Sequence, residues 1–237
     1  MSSERPDSTP EQRVRPRRGI MLVISSPSGA GKTTLCSRII SEVPGVELSI
    51  SATTREPRPN ERDGADYHFR SVSQFQQMID HDEFLEWAKV FKNFYGTPRS
   101  EVEARLVAGM DVVFDVDWQG ARALKTIRPG DVVSIFILPP SLAQLKRRLE
   151  GRPGADPKSV QSRLDGAGQD ILRWGEYDYA IVNDNLDTAF NEIRSILITE
   201  RNKRVRASLG IMVDQLLKDA HLATKTQSGS ATTGETS

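Results

Sequence analysis

Cysteine is nearly absent. Cys36 stands alone among 237 residues, which excludes an internal disulfide framework and fits a reducing, cytoplasmic setting. Long apolar runs are missing as well, and no stretch approaches the ~18 residues that a membrane span needs. The segment before Gly19 is polar and proline-bearing, so it does not read as a secretory signal. Neither sign of charge dominates: 32 basic and 32 acidic residues cancel. No global field therefore draws the chain to nucleic acid, and any anion binding must come from local clusters. The three histidines (His68, His81, His221) lack metal-ligand spacing and read as surface or boundary residues. Cys36 itself reads as a small buried side chain rather than a reactive thiol.

What is present is an alternation of short β-branched runs and helical patterns. The length permits one domain or two, with a core of real size. Buried strands are expected at 20–25, 112–116, 132–138 and 179–182, and helices at 32–42, 99–108, 119–127, 141–150, 158–174 and 188–205. The expected fold class is α/β, a three-layer core with a parallel sheet and helices on both faces. Core segments are 19–46, 99–140 and 171–207. The stretch 47–98 breaks the rhythm with shorter pieces at 47–52, 66–69 and 84–90 and a helix near 73–80, and reads as a small mixed insertion. Gly and Pro crowd 151–157, which suggests a mobile flap or lid within 141–170. Residues 1–18 and 224–237 read as unstructured tails. An amphipathic stretch at 209–217, within 208–223, suggests an extra helix; monomer and homo-oligomer both fit it.

The most informative motif is Ser26-Pro27-Ser28-Gly29-Ala30-Gly31-Lys32-Thr33, continuing into Thr34. A strand precedes it and a helix follows, the layout that cradles a nucleotide phosphate chain. Gly29 and Gly31 let backbone N–H groups turn toward phosphate. Lys32 can reach the outer phosphates, and the Thr33 hydroxyl can ligate Mg²⁺ delivered with ATP. Ser26 stands where the strict pattern has its first glycine, so it requires an ordinary backbone conformation there.

The acceptor side rests on the stretch from Ser49 to Tyr67. Arg55 and Arg58, three apart, can grip one phosphate with two guanidinium forks. Ser51 and Tyr67 can add hydroxyl donors, and Glu61 can hold an arginine in place. The bland alternative is a solvated basic turn.

Taken with the phosphate loop, Ser51-x-x-Thr54-Arg55-x-x-Arg58-x-x-Glu61-x-x-Gly64-x-x-Tyr67 resembles the guanylate kinases, which are ATP:GMP phosphotransferases. Phe84-Leu85-Glu86-Trp87-Ala88, Asn93-Phe94-Tyr95-Gly96-Thr97, Asp115-Val116-Asp117-Trp118, Arg148-Leu149-Glu150-Gly151-Arg152 and Ile181-Val182-Asn183-Asp184 extend the likeness across 19 to about 205. The resemblance implies a GMP-binding insertion at 47–98, with Ser51, Arg55, Arg58, Tyr67 and Tyr95 on the GMP phosphate. It implies that Glu86, Thr97 and Asp117 read the base, that Asn183 contacts adenine, and that Arg148, Arg152 and Arg163 join Lys32 and Arg55 in the closed catalytic site. Asp115 is expected to support Mg²⁺ through water. The implied partners are ATP/ADP and GMP/GDP.

Chemistry supports the base assignment independently. Guanine carries two adjacent donors, N1–H and the exocyclic amine, that one carboxylate can accept; adenine has no donor at either position, so Glu86 would face a lone pair at its N1. Two other classes remain in view. Guanylate-kinase-like scaffold modules bind phosphopeptides, but they have lost parts of a loop that is kept here. A sugar phosphotransferase of the same architecture would have no guanine edge to read.

Overall fold

The computed structural model describes residues 17–90, 92–207 and 209–229. Nine strands divide between two sheets among these residues. The central sheet is parallel throughout and contains β1 (Met21–Ser25), β2 (Val46–Leu48), β7 (Asp111–Asp115), β8 (Val132–Leu138) and β9 (Tyr179–Val182), in the order β2-β7-β1-β8-β9. The second sheet, ordered β4-β3-β6-β5, comprises β3 (Ala52–Thr53), β4 (His68–Phe69), β5 (Phe84–Val90) and β6 (Asn93–Pro98).

β1 occupies the middle of the central sheet, with Leu22 opposite Val113 on one side and Val133 on the other. Its residues alternate between two apolar layers. Ile20, Leu22 and Ile24 pack with Leu35 and Ile39 of helix α1 (Lys32–Glu42) and with Phe190, Ile193 and Leu197 of α7 (Leu186–Arg201). Met21 and Val23 face the opposite layer, with Val102 and Leu106 of α3 (Arg99–Val107) and Leu124 of α4 (Trp118–Ile127). Each fully buried Leu, Ile or Phe contributes roughly 1.5–3 kcal/mol, so both faces of the strand that carries the phosphate loop are strongly held.

The helices begin where the sequence supplies caps. Asp117 accepts from the Gln119 and Gly120 N–H groups, both at 3.0 Å, and starts α4. Ser71 and Gln74 form a reciprocal capping box on α2 (Val72–Asp80). Asp156 caps α6 (Pro157–Ile171), whose first residue is proline. Together α6 and α5 (Leu142–Glu150) enclose a separate small cluster of Leu145, Leu149, Val160 and Ala167. The last helix, α8, is Gly210–Gly229.

Four expectations need correction. The piece expected at 47–52 is not one element: Val46–Leu48 joins the central sheet beside β7, and only Ala52–Thr53 belongs to the insertion. β6 was not among the expected strands; it pairs antiparallel with both β3 and β5. The helix expected at 209–217 is longer and runs past residue 224 into the stretch read as unstructured. Arg17 and Arg18, assigned to the unstructured arm, are tied to the core. Arg17 pairs with Asp111 at 2.6 Å, and Arg18 pairs with Glu103 and Asp131, each at 2.8 Å. The rest of that arm (1–16) and the end of the tail (230–237) lie outside the described residues.

Asp111 is fully buried, where a lone carboxylate is costly. It is satisfied by Arg17, by Arg201 at 2.7 Å and by the Ile20 N–H at 2.9 Å. The N-terminal end of β1 is therefore pinned by a charge network, and its C-terminal end opens into the loop.

Candidate active site

The phosphate loop leaves β1 at Ser25 and enters α1 at Lys32. Gly29 (φ 95°) and Gly31 (φ 99°) adopt the left-handed conformation, which side chains with a Cβ rarely tolerate. Ser26 is not among the residues with positive φ, as its substitution for glycine requires. Lys32 Nζ lies 2.6 Å from Asp115 and donates to the Val116 carbonyl at 2.9 Å. The Thr33 hydroxyl reaches Asp115 at 3.4 Å. A cavity of about 410 Å³ opens over this loop, lined by residues 26–29 and 31–34, Asp115, Arg152 and Asp170. Cys36 sits one helical turn below; burial, with Asp115 nearby, pushes its thiol up to about 12, so it stays protonated.

The loop is braced from behind. Asn183, only 3% exposed, donates from its amide to the Ala30 carbonyl at 2.7 Å. A Cβ on Gly31 would come within 2.3 Å of that amide nitrogen, so Gly31 is required both for backbone angle and for space. Arg148 donates to the Asn183 carbonyl at 2.8 Å and the Ala30 carbonyl at 3.4 Å. The structure thus places Asn183 and Arg148 against the underside of the loop. Arg163, on α6, donates to the Ser28 hydroxyl at 2.9 Å. Arg152 follows the end of α5 and lines the cavity from an exposed position.

Of the residues expected on the acceptor side, Glu86, Tyr95 and Thr97 lie in the second sheet, Ser51, Arg55, Arg58, Glu61 and Tyr67 in the segments flanking β3 and β4, and Asp117 at the start of α4. Glu86 and Thr97 face one another across the β5–β6 ladder, and the Thr97 hydroxyl donates to the Glu86 carboxylate at 2.6 Å. Burial raises the Glu86 carboxyl above its ordinary value; the Thr97 hydrogen bond pulls it partly back, and Asp117 adds to the rise. One carboxylate oxygen is thus held by the protein, and the group lies close to Asp117, the cap of α4.

Arg55 and Glu61 pair at 2.9 Å, and the second Glu61 oxygen accepts from the Arg58 N–H at 2.8 Å. That backbone bond and the Arg55 guanidinium hold the Glu61 carboxyl below its ordinary value. Burial works against the Arg55 charge, but Glu61 and the Tyr95 hydroxyl more than offset it. The Tyr67 ring lies 5.3 Å from the Arg55 guanidinium carbon and 6.1 Å from the Tyr95 ring. Arg55, Glu61, Tyr67 and Tyr95 are therefore brought together, whereas the Arg58 side chain is exposed. Ser51 lies half-buried just before β3, and its carbonyl accepts from the His68 N–H at 2.9 Å.

The sequence profile of the guanylate kinase family matches residues 18–200. The chain belongs to that family. A guanylate kinase of Hyphomonas neptunium is 57% identical over 190 residues, which cover 80% of this chain and 88% of that one. One from Rhodospirillum rubrum is 51% identical over 201 residues, covering 85% and 91%. Among solved structures, the guanylate kinase of Anaplasma phagocytophilum superposes with a TM-score of 0.67 at 34% identity, covering 84% of this chain and 95% of that chain.

Against the guanylate kinase pattern read from the sequence, the geometry adds two residues, Asp170 and Thr53, and gives Thr54 of the motif a structural role. Asp170 faces the loop cavity from α6; its signal was the seven-residue spacing from Arg163, two turns along one helix face. Thr53 is fully buried, donates to the Phe94 carbonyl at 2.9 Å and accepts from the Arg55 N–H at 3.2 Å. Thr54 accepts from the Phe94 N–H at 2.9 Å. The two threonines clamp Phe94 and so fix Arg55 beside Tyr95. No sequence signal separates Thr53 from an ordinary strand threonine, whereas Thr54 already stands in the Ser51–Tyr67 motif. Among the described residues, no grouping of His, Cys, Asp and Glu could hold a metal by itself, and no helix is long and apolar enough to cross a membrane.

Proposed function

We propose that this chain transfers the γ-phosphoryl group of ATP reversibly to GMP, giving ADP and GDP, within cytoplasmic purine nucleotide metabolism. The observation that carries the acceptor assignment is the Glu86–Thr97 pair. A partly buried carboxylate has one oxygen engaged by a hydroxyl at 2.6 Å, which leaves acceptor capacity for the two adjacent donors of guanine. Adenine would leave that buried acceptor unpaired, which costs far more than an ordinary mismatch.

The GMP phosphate is largely dianionic near neutral pH, since such a group has a second pKa of about 6. It therefore needs no strong general base, and none is assigned to Asp115 or Asp117. The chemical task is to bring two polyanions together in line and to neutralise the moving group. On the donor side, the loop N–H groups from Ser28 to Thr33 and the α1 N-terminus meet the phosphates, and Lys32 exchanges its contact with Asp115 for phosphate oxygens. On the acceptor side, Arg55 and Arg58 grip the GMP phosphate with hydroxyl support from Ser51, Tyr67 and Tyr95. Glu61 keeps Arg55 aimed before GMP arrives. Arg152 and Arg163 close over the transferring group from the flap, and Arg148 with Asn183 holds the loop that presents the ATP. Closure also excludes water, which would otherwise take the phosphoryl group.

The hydroxyl of Thr33 and the carboxylate of Asp115 are hard oxygen donors at the cavity edge, the set Mg²⁺ accepts when it keeps several waters. Bound there with ATP, Mg²⁺ would neutralise charge on the β- and γ-oxygens.

A coupled assay of ATP turnover with GMP, AMP, UMP and dTMP tests the assignment. Turnover with GMP far above the other three is expected; comparable turnover with any of them would overturn it.

A further inference from the structure

The charged residues lining the cavity over the phosphate loop cancel. Lys32 and Arg152 are cationic, and Asp115 and Asp170 are anionic. Lys32 is already engaged by Asp115 at 2.6 Å. The Asp170 carboxylate, by contrast, has no hydrogen-bond or ion-pair partner among the described residues. It projects from the same face of α6 as Arg163, which is bonded to Ser28. One helix therefore sets a cation over the first half of the loop and, on the same cavity as Lys32, a carboxylate that Lys32 offsets only in part. A polyanion site that presents a bare carboxylate to its ligand needs a reason.

We propose that Asp170 is a specificity-determining residue that makes the donor site select the divalent-cation complex of ATP over the free nucleotide. Selection works through repulsion. Free ATP carries roughly twice the negative charge of its magnesium complex, so the same carboxylate disfavours it about twice as strongly. Lys32, the loop N–H groups and the flap arginines would otherwise bind the unmetallated nucleotide in a form that cannot react. The surroundings are consistent: burial, and then the Asp117 carboxylate, raise the Asp170 carboxyl, and Lys32 offsets only part of that. The inference rests on the loop being the ATP site, as proposed above.

Isothermal titration of the full chain, without GMP, with ATP in EDTA and with ATP in excess Mg²⁺ tests it. In Asp170→Asn the preference for the magnesium complex should fall about three- to tenfold, mainly because free ATP binds more tightly. Asp170→Ser should do the same by an independent neutral substitution, and Asp170→Glu should keep the wild-type ratio. An unchanged ratio in both neutral variants, or equal weakening of both forms of ATP, would overturn the proposal while leaving the ATP site in place. Wild-type protein that binds neither form would overturn the ATP site itself, and this inference with it.

Discussion

The loop around Lys32 leaves a five-stranded parallel sheet covered on both faces, whereas the loop carrying Arg55 and Arg58 leaves the two-residue strand β3. The acceptor lobe's own cluster of buried residues is Ala52, Phe75 and Phe84, flanked by half-buried Met78, Ile79 and Phe94. Behind the donor loop stand Asn183 and Arg148, and Asp111 anchors its strand with two arginines. Behind the acceptor loop stand one half-buried ion pair, Arg55–Glu61, and a pair of threonines. Each half therefore gets its precision from a different source. The donor cradle is braced by a large apolar core and buried polar contacts, and the acceptor half is a lighter frame with a small core of its own.

Substitutions on either side test that contrast. Lys32→Ala should lower kcat by about 10³-fold, the scale of losing one preorganised charge contact at the transition state. The melting temperature should hardly move, because Lys32 is no part of the apolar core. A fall in stability matching the fall in rate would mean that the cradle is not independently held.

Asp111→Ala removes the shared partner of Arg17 and Arg201 and orphans the Ile20 N–H. A loss of about 3–5 kcal/mol is expected in chemical denaturation, the usual consequence of breaking a buried charge network from one side. A loss below about 1 kcal/mol would remove the anchor from the account of the donor side.

Thr53→Val, its counterpart in the acceptor lobe, deletes a buried hydroxyl with two partners and should cost about 1–3 kcal/mol. The effect should appear as a raised KM for GMP with the KM for ATP unchanged, and Thr53→Ser should restore it. Equal changes in both constants would contradict a local positioning role.

The smallest effect is pH dependence at Glu86, whose carboxyl burial holds above its ordinary value. Between that ordinary value and the raised one, the folded protein binds more protons than the unfolded chain, so this group makes stability fall as pH rises through the window. GMP affinity should move the other way, improving as the carboxylate ionises. Denaturation and GMP titrations in that range should lose both slopes in Glu86→Gln, once compared with wild type to cancel the titration of GMP itself.

Much of the core was legible because its signals are local. β1, the loop and α1 follow one another in sequence, and the expected helix at 32–42 coincides with Lys32–Glu42. What escaped depended on distant partners. Val46–Leu48 is too short to declare its sheet, and only pairing with β7 assigns it. Arg17 and Arg18 look like a solvated basic run until Asp111, Glu103 and Asp131 fold beside them. Arg55, Glu61, Tyr67 and Tyr95 were legible as site candidates through motif spacing, and the fold clusters them. Asn183 and Arg148 were legible as site residues too, but their places beneath the loop were not, since the Ala30 carbonyl that both contact lies over 100 residues away in sequence. Asp170 carried only its seven-residue spacing from Arg163, and its place on the loop cavity became visible once α6 was in position.

Paired titrations with GMP and IMP show whether Glu86 reads the donors of guanine. IMP keeps N1–H but lacks the exocyclic amine. Wild-type protein should prefer GMP by about tenfold or more, and Glu86→Gln should bind the two nearly alike while its affinity for ATP stays at the wild-type value. An undiminished preference for GMP in Glu86→Gln would contradict the account.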